Sequence, residues 1–143
     1  MNVGKLIEDR ASSDIISVSV DQPVREAVAV LASKRIGALP VMQGGAVAGI
    51  FSERDVIYRL ADEGQSCLDR PVGEVMTAPA ITIDRDTDIL DALGLMSKRR
   101  IRHLPVLEGQ TMCGFISIGD LVQGRLDEIQ REASAMRAYI QTA

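Results

Sequence analysis

The sequence is poor in aromatic residues, histidine and cysteine, and each shortage argues against a class of function. The 143 residues include no Trp, two Phe, two Tyr, one His and two Cys. Binding of single-stranded nucleic acid by base stacking needs several aromatic rings, so the composition disfavours it. One histidine excludes a His-rich metal centre, and Cys67 and Cys113 lack CxxC spacing. We therefore predict no metal ligand and two ordinary thiols in a reducing compartment.

Long apolar runs and a surplus of positive charge are also missing. No segment approaches the roughly 18 apolar residues of a membrane span, and residues 1–10 lack the apolar core of a signal peptide. The net charge of -4 weighs against general nucleic-acid binding. The chain is 46% hydrophobic and 25% charged, as folded globular proteins are. We expect a cytoplasmic protein with no membrane or nucleic-acid partner.

The sequence repeats itself without a gap at an offset of 65 residues. Residues 16–60 align with residues 81–125, and 12 of these 45 positions are identical. In the densest part, residues 35–57 read RIGALPVMQGGAVAGIFSERDVI and residues 100–122 read RIRHLPVLEGQTMCGFISIGDLV. An ungapped match of this length indicates an internal duplication.

Each copy predicts the order β-α-β-β-α. A short β-like run is followed by an amphipathic helix, a hairpin with a Gly turn, and a second helix that begins at Ser52 or Ser117. The predicted buried stripes of the first helices are Val24, Ala27, Val28 and Leu31 in one copy and Ile89, Ala92, Leu93 and Met96 in the other.

One copy is too small to bury enough apolar surface to be stable alone. We therefore expect an α/β (α+β) fold in which the two βαββα repeats pack with pseudo-twofold symmetry around a cleft. The predicted domains are residues 1–70, with an exposed linker at 62–70, and residues 71–143, which begin with a short helical turn.

The C-terminal segment departs from the repeat. Its apolar residues recur with a period of 3.5, which predicts a long amphipathic helix with a coiled-coil-like seam. This seam consists of Val122, Leu126, Ile129, Ala133, Met136 and Ile140. Two interpretations are open: the seam lies on its own domain, or it forms a helix-to-helix contact in a homodimer.

Together these motifs resemble the CBS domain family, and nearly the whole chain looks like one tandem CBS pair, or Bateman module. The motifs are Leu-Pro-Val before each hairpin, then GIFSERD at 49–55 and GFISIGD at 114–120. The resemblance implies a regulatory module without catalytic activity. It implies no required cofactor, but an adenosine ligand between the copies: AMP, ADP, ATP, NAD or S-adenosylmethionine.

The resemblance also implies candidate ligand-binding residues. In the family, the Gly-x-x-Ser-x-x-Asp pattern puts the aspartate on the ribose hydroxyls and the serine near ribose or phosphate. Residues beside the first strand contact adenine, and the pair before Leu-Pro holds phosphate. The candidates are Ser52 with Asp55, Ser117 with Asp120, Ser17 with Val18, Thr82 with Ile83, and Arg102 with His103. The first copy has Gly37 and Ala38 at the phosphate pair, a departure from the family pattern that argues against phosphate binding by this loop.

Elementary chemistry supports these roles and leaves alternatives. A carboxylate can accept two hydrogen bonds from the adjacent hydroxyls of a ribose, and a helix N-terminus favours a phosphate. Ser-x-x-Asp at a helix start is also a capping box, and residues 98–100 also fit the solvated end of a helix.

Two other classes of function compete with nucleotide sensing. The sequence contains no catalytic triad, no P-loop and no dinucleotide fingerprint, so we expect no enzyme. A ligand-free interaction scaffold, working through dimerisation and the C-terminal helix, is the alternative. The physiological ligand and the regulated protein stay open.

Overall fold

The computed structural model describes residues 1–142 and folds the two sequence repeats into two matching units. The elements are α1 (Val3–Ile7), β1 (Val18–Ser19), α2 (Val24–Lys34), β2 (Ala38–Gln43), β3 (Ala46–Ser52), α3 (Glu53–Glu63), α4 (Val72–Val75), β4 (Ile83–Asp84), α5 (Ile89–Arg99), β5 (His103–Glu108), β6 (Thr111–Ser117) and α6 (Ile118–Thr142). Short 3₁₀ helices cover Ser12–Asp14 and Gly64–Asp69. The predicted α/β class, the β-α-β-β-α order and the long C-terminal helix are confirmed.

Each unit contains one three-stranded sheet, and the two sheets have the same register. β1 is parallel to β2, with Val18 opposite Val41, and β2 is antiparallel to β3. β4, β5 and β6 repeat this arrangement, with Ile83 opposite Val106. Both hairpins even carry a register shift directly after that central valine. The sequence duplication is therefore a structural duplication.

The short helices α1 and α4 exchange partners between the units. Val3 and Ile7 are buried in the core that contains β4–β6, whereas Val72 and Val75 are buried in the core that contains β1–β3. Backbone hydrogen bonds hold α1 against the second unit. In one of them the Gly4 amide donates to the Arg85 carbonyl at 2.8 Å. Each core thus draws residues from both sides of the predicted boundary at residue 70.

The expected exposed linker at residues 62–70 needs a correction. α3 continues to Glu63, and the 3₁₀ helix Gly64–Asp69 packs against α2 and α3. The Cys67 side chain is 0% exposed, and Leu68 packs on the core of the first unit. The expectation of exposure was wrong for Cys67 and Leu68. These two residues are apolar, so they pack against the neighbouring helices although the rest of the segment is polar.

Helix α6 buries a different face from the one that its apolar spacing indicates. Leu121 and Gly124 face the second unit and are buried. The exposed fractions of the seam residues are 44% for Val122, 54% for Leu126 and 45% for Ile129, and they rise further along the helix. The first turns of α6 therefore lie on their own domain as one interpretation expected, but they do so through Leu121 and Gly124, and the seam itself does not pack there.

None of the helices in residues 1–142 combines the length and the apolar character that crossing a membrane requires.

Candidate functional site

Two clefts lie between the repeats, and each takes residues from both. The Asp55 cleft, of about 350 Å³, lies where β3 leads into α3 and is closed by Thr77, by residues 79–81 and by residues 100–103. The Asp120 cleft, of about 300 Å³, lies where β6 leads into α6 and is closed by residues 10–11 and 14–16 and by Ile36 and Ala38. Both volumes lie at the lower end of the range that small-molecule sites occupy.

The walls of both clefts are largely aliphatic. Ile50, Ala80, Ile81 and Ile101 contribute apolar surface to the Asp55 cleft. Ile15, Ile16 and Ile36 do the same in the Asp120 cleft, together with Phe115. Such walls can cover the faces of a flat heterocycle by apolar burial without aromatic stacking.

Each named aspartate takes part in a capping box at the start of a helix. The Ser52 amide donates to Asp55 Oδ2 at 2.9 Å, and the Asp55 amide donates back to Ser52 Oγ at 3.4 Å. Ser117 and Asp120 repeat this pair at 2.9 and 3.1 Å. The capping interpretation is thus confirmed for both copies, and it fixes each carboxylate at the cleft by its Oδ2.

The other carboxylate oxygen, Oδ1, meets a different donor in each cleft. The Thr77 hydroxyl donates to Asp55 Oδ1 at 3.0 Å. Arg10 Nη2 donates to Asp120 Oδ1 at 3.1 Å, and Arg10 Nη1 lies 3.4 Å from Oδ2. Oδ1 of Asp55 is therefore reached by a hydroxyl, whereas Asp120 is held by a guanidinium.

These contacts keep Asp120 ionised. Burial acts to raise the pKa of its carboxyl, but the hydrogen bonds from Arg10 and from the Ser117 amide outweigh it, so the pKa lies below its usual value. The carboxylate is then available to accept hydrogen bonds across the physiological pH range.

His103 stands between the clefts and, with Ala38, lines both. Its ring stacks on Phe115, with 5.6 Å between the centroids and 13° between the planes. Burial lowers the pKa of the imidazole and the positive charge of Arg102 lowers it further, against the opposing effect of Asp120 and Glu53. The ring is accordingly neutral at pH 7 and can donate or accept a hydrogen bond.

Three arginines reach one and the same cleft. Arg54, Arg100 and Arg102 all line the Asp55 cleft. Arg102 Nη2 lies 3.7 Å from Glu53 Oε1, across the boundary between the repeats, and both side chains are more than half exposed. An ion pair this exposed is weak, so Arg102 stays available to a ligand.

Four of the ten candidate residues do not lie along the cleft walls. Val18 and Ile83 are core residues, 2% and 9% exposed, while Ser17 and Thr82 are exposed outside the lining. Ile16 and Ile81 line the walls instead, and each directly precedes one of these candidate pairs in the sequence. The structure brings the other six together: Ser52, Asp55, Arg102 and His103 in one cleft, and Ser117, Asp120 and again His103 in the other.

Sequence reasoning missed Arg10 and Thr77 as partners of the aspartates. Both lie between a short helix and the first strand of a repeat, outside the aligned residues 16–60 and 81–125. One signal was present: VGKLI at 3–7 resembles VGEVM at 72–76, which extends the duplication to these helices at a different offset.

Comparisons with known proteins agree with this architecture. The family model described as CBS domain matches residues 4–62 and 72–127. The chain is 38% identical over 128 residues to the CBS domain-containing protein CBSX3, mitochondrial, of Arabidopsis thaliana, covering 86% of this chain but only 62% of that relative's length.

Solved structures have the same fold. The CBS-domain containing protein ATU1752 from Agrobacterium tumefaciens superposes with a TM-score of 0.81 at 32% identity, covering 87% of this chain and 99% of that one. CBSX2, whose structure is a complex with AMP, superposes with a TM-score of 0.76 at 23% identity, covering 88% and 96% of the two chains.

Proposed function

Because this chain belongs to the CBS domain family, with two CBS domains in tandem, we propose that it is a regulatory module that binds adenosine-containing nucleotides and has no catalytic activity of its own. AMP, ADP, ATP and NAD are the candidate ligands. The structure of CBSX2 with AMP supports an adenosine ligand for this fold. The regulated protein is unidentified, and the cytoplasm stays the expected location.

One observation carries the proposal: each cleft presents a helix-capping aspartate to a cavity with aliphatic walls. The carboxylate suits the two hydroxyls of a ribose, the walls suit adenine, and the start of α3 or α6 suits a phosphate. Since both repeats contribute to each cleft, a bound ligand would contact both repeats. It would favour one relative arrangement of the repeats by as much as its affinities for the two arrangements differ.

Replacing the aspartates tests the proposal. We expect Asp55→Ala and Asp120→Ala each to weaken adenosine-nucleotide binding at its own cleft by about tenfold or more, because a charge-assisted hydrogen bond is lost. Isothermal titration with AMP, ADP, ATP, NAD and GTP measures this directly. Each substitution also removes a helix cap and therefore lowers the stability of the protein. The melting temperature without ligand is measured as well, so that a loss of affinity is distinguished from a loss of stability.

Asp62→Ala is the matched control, because Asp62 is an exposed carboxylate on the same helix α3 outside both clefts. It should leave affinity unchanged. Wild-type protein that binds no adenosine compound at millimolar concentration would contradict the proposal and favour the ligand-free scaffold.

We also propose that the apolar seam of α6 contacts a second copy of this chain. Within residues 1–142 the seam is solvent-exposed along its whole length, from Val122 at 44% to Ile140 at 66%. Its 3.5-residue period is that of helices packed side by side, and a helix from another copy offers an identical period. This feature is also what favours the scaffold as the second candidate function.

Two adjacent substitutions on α6 test the dimer. Ile129→Glu puts a charge into the seam, whereas Gln130→Glu puts the same charge on the neighbouring polar position. We expect Ile129→Glu to weaken self-association by at least about tenfold, because the carboxylate would be buried unpaired, and Gln130→Glu to leave it unchanged. Sedimentation equilibrium measures both, and a monomeric wild type well above micromolar concentration would refute the dimer.

A further inference from the structure

The two clefts carry opposite formal charge. Three arginines and one carboxylate line the Asp55 cleft, a net charge of +2, while one arginine and two carboxylates line the Asp120 cleft, a net charge of -1. The residues of the first are Arg54, Arg100, Arg102 and Asp55, and those of the second are Arg10, Asp14 and Asp120. His103 lines both and therefore does not distinguish them.

We infer that the clefts sort adenosine ligands by charge. The Asp55 cleft takes a nucleoside di- or triphosphate, and the Asp120 cleft takes a nucleoside with at most one phosphate. The inference rests on the proposed nucleotide binding and adds the ligand class of each site.

The arginines of the Asp55 cleft are available to a polyphosphate. In the part of the chain that the structure describes, neither Arg54 nor Arg100 has a carboxylate oxygen within 4.0 Å, and the contact of Arg102 with Glu53 is long and exposed. Guanidinium groups bind phosphate oxygens with two parallel hydrogen bonds. Glu53 at the rim reduces the positive charge by one without reversing it.

The single arginine of the Asp120 cleft is already engaged. Its guanidinium lies 3.1 and 3.4 Å from the two carboxylate oxygens of Asp120. A second phosphate here would meet Asp14 and Asp120 with no uncommitted arginine among the lining residues. Each further phosphate adds about one negative charge at pH 7, so repulsion should grow along the series from AMP to ATP.

A length difference between the repeats accounts for the charged residues that only the Asp120 cleft has. Ile7 and Met76 are equivalent, since they lie over the paired glycines Gly114 and Gly49. Eight residues, 8–15, connect Ile7 to the first strand region at Ile16, whereas four residues, 77–80, connect Met76 to Ile81. The longer connection brings both Arg10 and Asp14 to the Asp120 cleft.

Titrating single-cleft variants tests the sorting. Ala11→Trp fills the Asp120 cleft without changing its charge and leaves the Asp55 cleft intact, and Ala80→Trp does the reverse. Adenosine, AMP, ADP and ATP are titrated calorimetrically into each variant in magnesium-free buffer. We expect affinity to rise on the order of tenfold from AMP to ATP at the Asp55 cleft, with a strong salt dependence, and to stay level or fall at the Asp120 cleft.

A matched arginine pair isolates the charge. Arg35 and Arg100 follow equivalent helices and share a left-handed backbone, with φ of 53° and 55°, but only Arg100 lines a cleft. In the wild-type background, Arg100→Gln should reduce the ratio of ATP to AMP affinity by severalfold, and Arg35→Gln should leave it unchanged. The arginine comparison remains informative if either tryptophan variant fails to fold.

The outcomes separate the inference from the function on which it rests. The sorting is overturned if added phosphates raise the affinity of the Asp120 cleft as much as, or more than, that of the Asp55 cleft. It is also overturned if both arginine variants lose the same fraction of the ATP-to-AMP affinity ratio. Neither result contradicts nucleotide binding itself. No binding of any adenosine compound to the wild type overturns the proposed function itself.

Discussion

Ile7→Ala is expected to lower the free energy of unfolding by about 2–5 kcal/mol, the range for truncating a buried aliphatic side chain. Ile7 is 2% exposed and belongs to the core of the second unit, although it precedes the first repeat in sequence. Its Cδ1 lies 2.7 Å from where a Cβ on Gly114 would be, so it fills the space that this glycine leaves. Truncation would open a cavity between α1 and β6.

Urea denaturation followed by far-ultraviolet circular dichroism measures this loss, since the chain has no Trp to report unfolding. Asp9→Ala, at an exposed position two residues later, should change the stability by less than about 0.5 kcal/mol. A cost below about 1 kcal/mol for Ile7→Ala would mean that α1 is not an integral part of the second core.

Gly49→Ala is expected to cost about 1–3 kcal/mol of stability, the usual range for overpacking. A Cβ at residue 49 would lie 2.7 Å from both Met76 Sδ and the Thr77 carbonyl oxygen. That carbonyl is fixed, because Thr77 and Ile50 exchange backbone hydrogen bonds of 2.8 and 3.0 Å. Displacing Thr77 would also move its hydroxyl away from Asp55, so nucleotide affinity at the Asp55 cleft should fall as well.

Gly114→Ala provides the internal control for that experiment. The two glycines are equivalent in the repeats, and neither has a left-handed backbone. A Cβ at residue 114 meets the terminal methyl of the Ile7 side chain at 2.7 Å but no backbone atom, and its next neighbour is 3.5 Å away. Its cost should therefore be smaller, near the lower end of the same range at about 1 kcal/mol. Equal thermal shifts for the two variants would show that the Thr77 carbonyl is not the limiting contact.

The fold was largely predictable because duplication and periodicity are local properties of the sequence. The stripes on α2 and α5 that contain Ala27 and Ala92 follow directly from apolar spacing, and the hairpins follow from their Gly turns. The capping boxes at Ser52 and Ser117 follow from a four-residue pattern.

The candidate site was predictable from the sequence only where the residues that form it lie close together within one repeat. Asp55 with Ser52, and Asp120 with Ser117, lie within a few residues of each other in sequence, and the structure places both pairs at clefts. Their partners Thr77 and Arg10 lie 22 and 110 residues away. The shift of the apolar walls from residues 18 and 83 to residues 16 and 81 depends on how the repeats face each other, which no local pattern encodes.

By itself, the sequence determined the duplicated β-α-β-β-α order, the helix-capping aspartates and the seam of α6, because each depends on spacing along one segment. Only the tertiary structure decided that α1 and α4 exchange cores, that the seam is left exposed, and that Arg54, Arg100 and Arg102 converge on one cleft while Arg10 pairs with Asp120. The physical reason is that packing between the units brings together residues far apart in the chain, and their charges and volumes interact only once that packing has formed.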